Sequence, residues 1–169
     1  ENKEYAEKIS FIQNAVGAVP SPFDCYLLTR SIKTLSVRMK QHNENAIAVS
    51  NYLSNHPKIE KVFFPGNDKR HKEIAEKQMD GFGGMMSFVI DSDINGVKTF
   101  LKNLNLFTLA ESLGGVESLI EHPAIMTHAS IDPSIREKLG ISETLLRISV
   151  GIEDVDDLIS DLDQALSKI

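Results

Sequence analysis

The spacing of apolar and polar positions along the chain switches between two periods, and the switches mark the elements. Leu28, Ile32, Leu35, Met39, His42, Ala46, Val49 and Leu53 alternate steps of four and three, keeping one helical face apolar until Asn55-His56-Pro57 stops it. Ser21 as N-cap, Pro22 at the first helical position and Asp24 completing a capping box mark the start. The pattern therefore predicts one long linking helix over residues 21–56. Ahead of it, residues 1–20 read as a short helix followed by the small-residue segment NAVGAV and Pro20, a connection more than a domain start. From Ile59 onward the period changes. KIEKVFFPG and MMSFVI are strand-like, with a polar helix over 69–79 between them. Asp93 caps a helix through Val97, Phe100, Leu101 and Leu104, which delivers the chain to a third strand at Leu106–Leu109.

Beyond a polar stretch ending at His128, Asp132-Pro133 opens a short helix that Gly140 can terminate, and a fourth strand begins at Leu145. Its alternation is informative: Leu146, Ile148 and Val150 point one way, Arg147 and Ser149 the other. Asp154 caps a final helix with Asp156 and Asp157 in its first turn and Leu158, Ile159, Leu162, Leu166 and Ile169 on one face. The fold class expected is α+β. Residues 57–169 form a two-layer domain with a mainly antiparallel four-stranded sheet and helices on one face, preceded by the long connecting helix.

Composition narrows the function classes. The 169 residues suit one domain with a real core and an attached arm; 41% hydrophobic and 25% charged residues are ordinary for a soluble globular protein. No window is apolar enough to span a bilayer, and the charged start ENKEYAEKIS does not resemble a secretory signal, so a cytoplasmic location is expected. Cys25 is the sole cysteine, which excludes an internal disulfide and a cysteine-built metal site. A net charge of -6 lacks the electrostatic footprint that nucleic acid requires.

The candidate chemistry lies in the stretch LFTLAESLGGVESLIEHPAIMTH and at Arg147. Glu111 and Ser112 stand at the end of a strand, before the Gly114-Gly115 pair, where a rigid element can present polar groups on an accessible turn. The bland reading of that turn is a solvated surface loop. Arg147 offers a planar fork to a carboxylate or phosphate, with Ser112 as a single hydroxyl donor if the two strands are neighbours; its bland reading is a surface salt bridge. Glu111 could act as acid, base or a repelling charge. His42 lies in the apolar helix stripe with no second ligand one turn away, which favours a hydrogen-bonded packing role. His122 and His128 are too loosely spaced for a metal site, and no metal is expected. Neither Ser112 nor Ser118 sits in a nucleophile elbow, which argues against a hydrolase built with His128. Gly81-Phe82-Gly83-Gly84 leads into a strand instead of opening a helix, so it is not a phosphate loop. The basic helix residues Arg30, Lys33, Arg38 and Lys40 read as a solvated face.

Three runs carry a family resemblance: NAVGAVPSPFDCYLLTRSIKTLSVRMKQHNENA, FTLAESLGGVESLIEHPAIMTHAS and GISETLLRISVGIEDVDDLISDLDQAL. Spanning nearly the whole chain, they resemble the C-terminal part of the pyridoxal-phosphate enzymes of cysteine and methionine metabolism, the group containing cystathionine gamma-lyase and cystathionine gamma-synthase. The resemblance implies that Arg147 binds the substrate alpha-carboxylate, that Ser112 assists it, and that Glu111 meets the distal amino group of cystathionine. It implies pyridoxal 5'-phosphate as cofactor and a homotetramer for the full-length enzyme. It also implies that the cofactor lysine lies in a Ser-x-Thr-Lys motif, which is absent here; Lys33 in SIKTLS belongs to the helix. On this reading the chain is a fragment in which residues 1–20 lead out of a missing cofactor-binding domain. It holds substrate-binding residues but neither catalytic nor cofactor-binding ones, and it is inactive alone. Three functions stay open: a lyase releasing cysteine, 2-oxobutanoate and ammonia from cystathionine, a synthase joining cysteine to an O-acyl-homoserine, and a stand-alone oligomerisation or small-carboxylate-binding module.

Overall fold

The computed structural model describes residues 2–169, with the backbone alone described at position 70. The chain divides into two compact units, Glu1–Ser36 and Val37–Ile169. In the first, α1 (Lys3–Val16) is capped by Asn2, whose side chain accepts from the Glu4 N–H, and is closed by Gly17 in the left-handed conformation. Helix α2 (Pro22–Ile32) starts as its sequence predicts, with the Ser21 hydroxyl accepting from the Asp24 N–H. Neither helix contains a buried residue.

The expected helix over 21–56 is instead two helices, α2 and α3 (Leu35–Asn55). The break falls at Lys33-Thr34, where both the backbone N–H and the hydroxyl of Thr34 turn back onto the Ser31 carbonyl. That is the local side-chain competition by which a threonine interrupts a helix. The apolar stripe divides as well. Leu28, Ile32, Leu35 and Met39 are exposed, whereas His42, Ala46, Val49 and Leu53 are buried.

The second unit is built on a five-stranded sheet, in the order β1 (Ile59–Phe63), β2 (Met85–Ile90), β5 (Leu145–Ser149), β4 (Leu119–Glu121), β3 (Thr108–Leu109). The expected mainly antiparallel pairing holds for β1/β2, β2/β5 and β4/β5, while β3 and β4 run parallel. Four strands become five because Leu119–Glu121 pairs with both β3 and β5. Three residues ending in a charge are too short to show a period of two. The strand expected over Leu106–Leu109 is correspondingly reduced to Thr108–Leu109.

One face of the sheet carries Met86, Phe88, Ile90, Ile120, Leu146, Ile148 and Val150 into a core completed by α3, α5 (Ile94–Lys102) and α7 (Val155–Leu166). The Phe88 and Phe100 rings meet edge to face, with centroids 6.2 Å apart, joining β2 to α5. Helices α4 (Lys69–Gln78), α5, α6 (Pro133–Lys138) and α7 each begin at an aspartate N-cap, namely Asp68, Asp93, Asp132 and Asp154. The expected starts at Asp93, Asp132-Pro133 and Asp154 are all found.

Two buried polar groups tie the elements together. Asp161 on α7 accepts from the backbone N–H groups of Asn105, Leu106 and Phe107, anchoring the approach to β3. Burial opposes ionisation of Asp161, but these donors prevail and hold its pKa below the usual carboxylate value. His122, fully buried just after β4, donates from Nε2 to the Glu143 carbonyl, 2.8 Å away, ahead of β5. The carbonyl can only accept, so the proton sits on Nε2 and leaves Nδ1 with a buried, unpaired lone pair.

Replacing Asp161 with Ala strands three amide donors, and a loss of about 2 kcal/mol is expected from the urea unfolding midpoint at constant slope. A separate expectation concerns acid. Burial lowers the His122 pKa below 6.5, against the opposing pull of the Glu143 carbonyl. The unfolded chain therefore takes up a proton that the folded chain refuses, so stability is full above 6.5 and falls as pH drops from there. His56, also lowered by burial, adds to the same window, whereas Asp161 titrates below 3.8. The unfolding midpoint should fall between about pH 7 and about pH 5, with a shallower slope in His122→Gln, which keeps a donor for the carbonyl.

Candidate substrate-binding face

The sheet face opposite the core is polar at its centre. Strand β5 lies between β2 and β4, and its register sets Ser87, Arg147 and Glu121 side by side across three strands. Because Leu146 and Ile148 are fully buried on the core side, the period-two geometry obliges Arg147 and Ser149 to face the other way. The Arg147 side chain is 27% exposed, and its Nη2 stands 3.1 Å from Oε2 of Glu121, which is 1% exposed. The other Glu121 oxygen accepts from the Thr127 hydroxyl at 3.3 Å.

The segment carrying Glu111 and Ser112 connects β3 to β4 and is fastened at several points. Ala110 N–H extends the β3/β4 ladder to the Ile120 carbonyl. Gly114 N–H donates to the Ser149 hydroxyl at 2.9 Å, which draws the loop onto the strand that carries Arg147. Gly114 has φ 79°, a conformation that an L side chain would strain. Farther along, the Val116 carbonyl accepts from Ile152 N–H, and Glu153 accepts from both the N–H and the hydroxyl of Ser118. Glu111, Ser112 and Leu113 are thereby left exposed between fixed ends. Among the described residues no hydrogen bond joins Glu111 or Ser112 to Arg147.

The turn after β5 is clamped from the other side. His42 donates from Nδ1 to the Val150 carbonyl at 2.7 Å, as expected of a packing histidine. Asn45 donates its amide to the carbonyls of Gly151 and Glu153, and the Ser118 hydroxyl accepts from Gly151 N–H. A Cβ on Gly151 would lie 2.3 Å from the Val116 carbonyl oxygen, so only glycine permits this approach. The Gly81–Gly84 segment serves the same wall: Asn43 accepts from Phe82 N–H at 2.6 Å, and Gly84 accepts from Val150 N–H at 2.8 Å.

A partly exposed guanidinium can receive an anion on its open fork, and the loop carrying Glu111 and Ser112 is tied through Gly114 to the same strand. The partner that sequence reasoning missed is Glu121. Its only sequence signal was that a cation on a central strand needs an anion on a neighbour, and β4 was not legible. The His128 ring meets the Thr127 hydroxyl through Nδ1 at 2.8 Å, and no group of three or more His, Cys, Asp or Glu among the described residues could hold a metal. No helix among them is long and apolar enough to cross a membrane.

Comparison with known proteins places this face in context. The chain is 55% identical over 169 residues to the cystathionine gamma-lyase of Dictyostelium discoideum, a match covering 99% of this chain and 43% of that protein. It is 52% identical over 168 residues to the cystathionine beta-lyase of Coxiella burnetii, covering 98% of the chain and 43% of the relative. The fold superposes with a TM-score of 0.91 at 44% identity on a crystal structure of cystathionine gamma synthase from Xanthomonas oryzae pv. oryzae in complex with aminoacrylate and cysteine. That match covers 99% of this chain and 43% of the other. A cystathionine gamma-lyase from Lactobacillus plantarum complexed with L-serine matches with a TM-score of 0.90 at 44% identity, over 100% of this chain and 44% of that one. The chain thus spans about two fifths of the length of these relatives. The profile of the Cys/Met metabolism PLP-dependent enzymes matches residues 1–167, and the chain belongs to that family.

Proposed function

We propose that this chain forms the substrate-side wall of a pyridoxal-phosphate-dependent carbon–sulfur lyase that cleaves cystathionine to cysteine, 2-oxobutanoate and ammonia. The observation carrying this reading is Arg147, directed by the alternation of β5 to the polar face and left 27% exposed beside a loop that Ser149 anchors. Arg147 binds the alpha-carboxylate through its fork, and Ser112 adds a hydroxyl donor. Glu111 meets the distal amino group of cystathionine, which favours that substrate over amino acids with apolar side chains.

The residues of this chain do not themselves make the cofactor's site. No Ser-x-Thr-Lys occurs, Lys33 is an exposed residue at the α2–α3 junction, and the Lys58 ammonium donates to the carbonyls of Leu166, at the end of α7, and Ile169. The electron-sink chemistry of the family's cofactor is supplied from outside these residues. The complete enzyme is read as a cytoplasmic homotetramer, a setting that the single, exposed Cys25 suits. The runner-up is a cystathionine gamma-synthase, favoured by the likeness to the Xanthomonas oryzae structure.

Product analysis of the full-length protein separates the two: 2-oxobutanoate from cystathionine is expected, and cystathionine formed from an O-acyl-homoserine plus cysteine, without it, would overturn the lyase reading. In the same assay Arg147→Lys should raise KM about tenfold or more, since a point charge cannot replace the bidentate fork. The 169-residue chain alone, mixed with pyridoxal phosphate and dialysed, should retain none of the cofactor's visible absorption. Retained absorption would remove the claim that the cofactor's site lies elsewhere.

A further inference from the structure

Glu121 is a buried carboxylate that the substrate reading above leaves unused. It ends β4 directly opposite Arg147, is 1% exposed, and has Oε2 3.1 Å from Nη2 of the guanidinium. Its Oε1 accepts from Thr127, and Oε2 has no hydrogen-bond partner of good geometry. A carboxylate taken out of water is costly unless a cation and hydrogen bonds offset it, so Arg147 is the group that Glu121 depends on. The dependence runs both ways. Arginine carries a long, flexible stem, and a fork that must meet a ligand in one plane gains from being held there beforehand.

The ion pair is made by one guanidinium nitrogen, Nη2, while 27% of the Arg147 side chain stays open. One corner of the guanidinium is thus held from the buried side, and the rest of the fork remains for an incoming carboxylate. We propose that Glu121 is the positioning residue for Arg147: buried and steadied by Thr127, it sets the guanidinium in the plane that receives the substrate alpha-carboxylate. The proposal rests on the carboxylate-binding reading of Arg147. A Glu121 that merely stapled β4 to β5 would affect stability and every kinetic constant without regard to what stands at position 147.

Steady-state kinetics of the full-length enzyme make the distinction. Glu121→Gln keeps the shape and removes the charge. It should raise KM for cystathionine about tenfold while kcat stays within about threefold and the visible absorption of the bound cofactor is unchanged. In an Arg147→Lys background the same substitution should add less than about twofold, because the fork it positions is gone. Thr127→Val, which leaves both charges in place, asks the same question if Glu121→Gln fails to fold. It should raise KM about two- to threefold with Arg147 present and not at all with Lys at 147. Equal KM increases in both backgrounds, or a fall in kcat with KM unchanged, would overturn the positioning role alone. An unchanged KM in Arg147→Lys by itself would remove the carboxylate reading and this proposal with it.

Discussion

The central position of β5 is the constraint on which the second unit depends. Both its edges are paired, to β2 and to β4, and one of its faces is sealed beneath α3, α5 and α7. A strand so enclosed has one direction left for polar side chains. Leu146, Ile148 and Val150 are fully buried on the core side, and Arg147 and Ser149 take what remains. Displacing the strand by one residue would drive a guanidinium into the core, so the hydrophobic effect sets the register that aims Arg147.

Around that strand the polar groups are arranged as a clamp. His42 and Asn45 on α3 hold the carbonyls of Val150, Gly151 and Glu153 from one side. Ser118 and Glu153 fasten the β3–β4 loop from the other. Each of these groups is buried or half-buried and hydrogen-bonded, which offsets its desolvation and leaves the loop little freedom at its ends. Glu111 to Leu113 stay exposed between them, a short segment on fixed supports. Such an arrangement places a recognition loop without requiring the loop itself to be packed.

The first unit is held by different physics. Its helices have end caps but no buried residue, and Tyr5, Ile9, Ile12 and Val16 lie along α1 at helical spacing while exposed. Helices of 14 and 11 residues are marginal in water on local interactions alone. The caps at Asn2, Gly17 and Ser21 define where those helices begin and end, and they contribute no core.

Local chemistry was legible in the sequence because it acts over three or four residues. The starts at Ser21, Asp93, Asp132 and Asp154 and the two-faced alternation of β5 required no knowledge of the fold. The break at Thr34 and the strand at Leu119–Glu121 were not legible. The first turns on one side chain competing for one carbonyl, and the second is a strand only because β3 and β5 flank it. Sequence spacing alone set where the capped helices start, which face of β5 is apolar, and that Arg147 points away from the core. Only the tertiary structure decided that a buried carboxylate would stand opposite Arg147 and that Ser149 would catch the Gly114 backbone. Those contacts join residues 26 and 35 positions apart, and pairing across strands, not spacing along the chain, brings such groups within reach.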